Sequence, residues 1–134
     1  MTSTYQKVCI NKLFPTMKTV KENSTNQLNK KDIINKCPVT YTLEKIGGRW
    51  KPLILYNLKD GKKRYNELKK AMPLISEKML IQQLKELEKD DLVMRKAMPV
   101  VPPHVEYCLS ENGKEIGPVL GAMADWGMKN LKRA

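Results

Sequence analysis

The chain has 134 residues, 25 Lys and Arg against 14 Asp and Glu, a formal net charge of +11, and 41% hydrophobic residues. That supports one modest core and is too polar for a membrane protein, since no apolar run approaches the roughly eighteen residues that cross a bilayer. The start lacks a continuous apolar stretch of the secretory kind, so a cytoplasmic protein is expected, and the positive excess favours a polyanionic partner.

Residues 1–35 are polar and Asn-rich and carry no apolar stripe, which predicts a flexible basic tail. They hold six Lys and two acids, net +4, leaving +7 for a single expected domain over residues 36–134. Order is expected from about Cys37. Pro38 suits a first helical turn, and Val39, Thr42, Leu43 and Ile46 follow a helical stripe that Gly47-Gly48 ends. Trp50, Leu53, Ile54, Asn57 and Leu58 predict the buried face of a second helix, stopped by Asp60-Gly61. A basic bridge, Lys62-Lys63-Arg64, leads to a short helix over 64–72 carrying Tyr65, Leu68 and Met72. Ser76 then caps a helix over 76–89 that buries Leu80, Leu84 and Leu87. Two helices joined by Pro73-Leu74-Ile75 have the spacing of a helix-turn-helix.

Two strand-like segments, 92–98 and 104–109, flank the tip Pro99-Val100-Val101-Pro102-Pro103, which predicts a hairpin in the position of a wing. Ser110 caps a last helix with the stripe Ile116, Val119, Leu120, Met123, Gly127 and Leu131, and Pro118 predicts a kink or irregular first turn. The fold class is mainly α with a small β-hairpin (α+β), a winged helix-turn-helix. Trp50 and Trp126 read as packing residues, with base stacking as the alternative. The first and last helices lie outside the helix-turn-helix and need a partner for their stripes. A second subunit is the simplest partner, with Val39, Leu43, Ile46, Leu120, Met123 and Trp126 as candidate interface residues.

Rotating the helix after Ser76 by 100° per residue puts Lys78, Gln82, Lys85 and Lys89 opposite the leucines. Lys donates to guanine O6 or N7, and Gln pairs with adenine through two hydrogen bonds, so with Ser76 this face is the candidate reader of a major groove. Lys62, Lys63, Arg64, Arg95, Lys96 and His104 are candidate phosphate contacts that set register without reading sequence. The expected partner is double-stranded DNA, bound by a homodimer. There is no Gly-rich phosphate loop and no GxSxG, and the cysteines Cys9, Cys37 and Cys108 form no CxxC, so no enzyme, metal or cofactor is expected. His104, Glu106 and Cys108 share a strand face, and an exposed wing face explains them better than a metal site does. Cys37 lies beside Lys36 at a helix start, where dipole and cation favour thiolate; a small buried hydrophobe is the other reading.

From Cys37 to about Asn130, roughly 70% of the chain, the sequence closely resembles the HxlR-type winged-helix transcription regulators. The resemblance rests on Cys37-Pro38, Gly48-Arg49-Trp50 with Leu53-Ile54, and Arg64-Tyr65-Asn66-Glu67-Leu68. It continues through Pro73-Leu74-Ile75-Ser76, Lys78-Met79-Leu80 and the run from Leu84 to Val93. Pro102-Pro103-His104-Val105-Glu106-Tyr107, Leu109, Gly113 and Trp126-Gly127 complete it. It implies a homodimer joined through its first and last helices that binds operator DNA, more often as a repressor. It also implies that Cys37 corresponds to the cysteine of redox- and quinone-sensing members. The effector would then be a small electrophile or oxidant, acting through a disulfide, a mixed disulfide or an adduct. The alternatives are a ligand-gated regulator without thiol sensing and a winged-helix adaptor for protein contacts. Two positions depart from the family: His104 stands where Arg is frequent, and Cys108 where a small polar residue is usual.

Overall fold

The computed structural model describes Asp32 and residues 34–133, in two compact units that divide after Gly47. Most of the expected tail therefore lies outside the described residues; Asp32 and residues 34–36 are helical, so helix begins earlier than the sequence suggested. In the first unit, Cys37 in extended conformation is the N-cap of α1 (Pro38–Ile46), with Pro38 in the first turn. The helix ends where the Gly47 amide bonds the Leu43 carbonyl, and a Cβ on Gly47 would run into that same carbonyl oxygen. Ile46 is buried, while Val39 and Leu43 are exposed.

The second unit begins with α2 (Lys51–Leu58), which buries Ile54, Leu55 and Leu58. The expected face is thus corrected by one position: Leu55 points inward and Leu53 is exposed. In so short and apolar a helix, neighbouring leucines fit either face of a 3.6-residue period equally well. Next come β1 (Lys63–Arg64) and α3 (Tyr65–Ala71), where the Arg64 amide donates to Glu67 Oε2 at 2.7 Å. The turn buries Met72 and Ile75 and leaves Leu74 outside. Ser76 Oγ accepts from the Met79 amide at 3.1 Å and caps α4 (Glu77–Lys89), whose buried residues are Leu80, Leu84 and Leu87. Each leucine is worth about 2–5 kcal/mol against alanine, which anchors α4 firmly enough to present its other face.

Asp91, at φ 56°, turns the chain into β2 (Val93–Met98), which pairs antiparallel with β3 (His104–Leu109). The sheet has a third member that the sequence did not announce: β1 pairs with β3 in the order β1-β3-β2, with Lys63 opposite Tyr107 and Arg64 opposite Glu106. The last helix is broken, as Pro118 foretold, into α5 (Glu111–Glu115) and α6 (Gly117–Leu131), with Pro118 in the first turn of α6. Leu120 is buried, but Met123 and Trp126 are exposed, so Trp126 is not a packing residue of its own chain. Among the described residues no helix is long and apolar enough to cross a membrane.

Candidate nucleic-acid interface

Burial of the three leucines fixes the rotation of α4, and its opposite stripe of Lys78, Gln82, Lys85 and Lys89 is exposed along its length. Ser76 is exposed at its start. Ile81, also exposed, lies on this outward side and was missed because an isoleucine in a helical pattern reads as core; an apolar group there suits a thymine methyl. Gln82 is tethered. Its Nε2 donates to Glu86 Oε1 at 3.3 Å, and Glu86 Oε2 is 2.8 Å from Lys51 Nζ of α2. The Lys51 ammonium, followed by the Gln82 donor, holds the Glu86 carboxyl below the usual carboxylate range.

Between α4, the start of α3 and the wing lies an open groove of about 930 Å³. Arg64, Lys85, Arg95 and His104 line it, with Tyr65, Tyr107 and Ile81 in its walls and Val100 to Pro103 at its outer lip. Four of the expected DNA-contact residues are thereby brought together. Burial, with Glu77 and Tyr107 nearby, pushes the Tyr65 phenol above its ordinary pKa, and its buried Oη has no hydrogen-bond partner among the described residues. Burial pushes Tyr107 the same way, opposed by the Arg95 guanidinium.

The remaining basic candidates fall elsewhere. Of the neighbours Arg95 and Lys96, which lie opposite Tyr107 and Glu106, only Arg95 lines the groove; His104 borders it from the strand face it shares with Glu106. Lys62 is engaged: its Nζ lies 3.1 Å from Glu106 Oε2, while His104 Nε2 is 3.3 Å from Glu106 Oε1. Lys62, ahead of His104, holds Glu106 below the usual carboxylate range. Lys63 pairs with Tyr107 at the base of the sheet, outside the groove lining. The wing tip carries no charge, and Val101 is 98% exposed. Among the described residues no group of three potential ligands is placed to hold a metal ion.

Cys37 is buried, only 6% exposed, and Cys108 is half-buried. Of the candidate interface residues, Ile46 and Leu120 are buried within the chain and have no surface to offer, whereas Val39, Leu43, Met123 and Trp126 are exposed. On α6, Pro118, Val119, Ala122, Met123 and Trp126 line a shallow, almost wholly apolar depression.

A family model described as HxlR-like helix-turn-helix matches residues 45–134. The uncharacterised HTH-type transcriptional regulator YdeP of Bacillus subtilis (strain 168) is 50% identical over 97 residues, 72% of this chain and 76% of that protein. A solved structure described as the redox regulator HypR in its oxidised form is 47% identical, with a TM-score of 0.67 over 70% of this chain and 97% of that one. The reduced form of the transcriptional regulator YodB from B. subtilis is 39% identical, with a TM-score of 0.61 over 68% of this chain and 90% of that one.

Proposed function

The chain belongs to the HxlR-like helix-turn-helix family of transcriptional regulators, and from that premise we propose that it is a homodimeric repressor of nearby genes. It acts in the cytoplasm on two-fold operator DNA. The outward stripe of α4 enters the major groove, where Lys78, Gln82, Lys85 and Lys89 meet base edges and Ser76 lies at the phosphates flanking the helix start. The adjoining sugar–phosphate strand runs in the groove beneath the wing against Arg64, Lys85, Arg95 and His104, with Lys62, Lys63 and Lys96 adding charge outside it. The observation that carries this reading is the convergence of three cationic side chains, Arg64, Lys85 and Arg95, against one acid, Glu88, beside an exposed polar helix face. It favours DNA over an adaptor role, because a protein-docking face is depleted of charge at its centre.

The signal reaches the protein through Cys37. Its place as the N-cap of α1, and the description of one solved relative as a redox regulator, support this reading. A modified Cys37 adds bulk where α1 begins, and a shift in the spacing of the two recognition helices spoils simultaneous binding of half-sites about 34–36 Å apart. The test is selection of genomic DNA by the purified protein with and without reductant, followed by titration of the selected site. Specific binding that falls steeply with salt is expected. Diamide should weaken it in the parent and leave Cys37→Ser unaffected, while Cys9→Ser and Cys108→Ser respond like the parent. Binding without sequence preference at physiological salt overturns the DNA reading. A Cys37→Ser variant as sensitive as the parent overturns the sensor and leaves a ligand-gated regulator.

A further inference from the structure

Gln82 is held in place from outside the helix-turn-helix. Glu86 divides its two carboxylate oxygens: Oε2 faces Lys51 Nζ at 2.8 Å, and Oε1 accepts from Gln82 Nε2 at 3.3 Å. The Lys51 side chain is only 12% exposed, so α2 and its surroundings fix the cation, while Glu86 is 42% exposed on α4. A lone glutamine on a helix surface rotates freely and presents its amide in either sense. A carboxylate only accepts, so the nitrogen end of the Gln82 amide must face Glu86. The second N–H and Oε1 are left free, and together they match adenine N7 and the adenine N6 amino group in the major groove.

We propose that Lys51 and Glu86 are positioning residues for base recognition: they fix the rotamer and the sense of the Gln82 amide, and through it a preference for adenine at one position of each half-site. This rests on the DNA reading of α4 proposed above. Lys51 touches no base in this scheme. Its second effect is to neutralise a carboxylate one helical turn from Gln82, so its loss also weakens binding to DNA of every sequence. Preference, not affinity, is therefore the diagnostic quantity.

The experiment is selection from a randomised half-site library by the full-length parent, Gln82→Ala, Lys51→Met, Lys51→Arg, Glu86→Ala and the double variant Lys51→Met/Gln82→Ala, each checked for folding by thermal melting. Gln82→Ala identifies the position read. Lys51→Met should lower the adenine preference there by about five-fold or more while other positions keep theirs, as expected for weakening a two-bond contact. Lys51→Arg should restore most of it, and Lys51→Met should change nothing further at that position in the Gln82→Ala background. Should Lys51→Met fail to fold, Glu86→Ala decides, and it must flatten the same position. An unchanged preference in Lys51→Met or Glu86→Ala, or a uniform loss at all positions, overturns the positioning role with the DNA reading intact. No position altered by Gln82→Ala overturns the assignment of Gln82 itself, and the inference with it.

Discussion

Ser110 is the buried polar side chain of the described core, and both of its hydrogen-bonding capacities are used. Its Oγ donates to the Asp91 carbonyl at 2.5 Å and accepts from the Gly113 amide at 2.9 Å, so one hydroxyl ties the end of α4 and the base of the wing to α5. Ser110→Ala leaves a carbonyl and an amide without partners and should cost about 1–3 kcal/mol, read from the urea midpoint. Gly113→Ala should cost more, because its Cβ would meet the Leu92 carbonyl oxygen, which already accepts from the Ser110 amide; an equal or smaller loss would contradict this packing. Ser110 was legible as a cap, since a serine before a helix pattern is a local signal. That local signal could not show the bond to Asp91, nineteen residues away. For the same reason Lys62 looked like a free phosphate contact, although Glu106 of β3 engages it. Local chemistry is written in neighbouring residues, but pairing between distant ones depends on the fold that brings them together.

Among the elements, α4 was legible because its leucines recur over thirteen residues and decide its rotation. The eight residues of α2 were too few and too apolar to do the same. β1 was illegible for a simpler reason: two residues cannot display an alternation, and their partners lie in β3. The ion pair of Lys62 with Glu106 ties the chain just before β1 to the middle strand of the sheet. Since Lys62 lowers the carboxyl pKa in the folded protein, the unfolded chain binds this proton more readily. The tie therefore contributes fully above the ordinary value of 4.5 and is lost as pH falls through the lower folded value. Amide exchange at Lys63 and Tyr107 should be slower in the parent than in Glu106→Gln at neutral pH, and the two proteins should converge only in acid below that value. Equal exchange at neutral pH would show that the pair does not hold β1. The wing tip differs from its base in chemistry: Arg95 faces the groove and the His104 ring meets Glu106, but the tip presents Val100 and Val101. Truncating those two to Ala should leave the salt slope of DNA binding unchanged, whereas Arg95→Ala should reduce it by about one.

At the scale of the whole molecule, apolar surface remains unused: Val39 and Leu43 on α1, and Met123 and Trp126 on α6, are between 47% and 70% exposed. The helical stripes made this surface legible, but which residues of each stripe stay free was not, because Ile46 and Leu120 turn inward. In the proposed dimer these faces are covered by the second copy. Trp126→Glu should therefore move the protein to monomer mass in sedimentation and cut operator affinity by more than about ten-fold, since half-site binding loses its intramolecular second contact. Its helical content should persist, because Trp126 is 70% exposed in the single chain. A Trp126→Glu protein that remains dimeric would place the interface elsewhere. The uncovered depression on α6 also bears on dosage. When protomers are scarce, the concentration of a paired reader rises with the square of their number, so halving expression leaves about a quarter of the operator occupancy. A dimeric regulator built this way would turn small changes in its own synthesis into larger changes at its operators, and a second gene copy would raise the paired reader up to about four-fold.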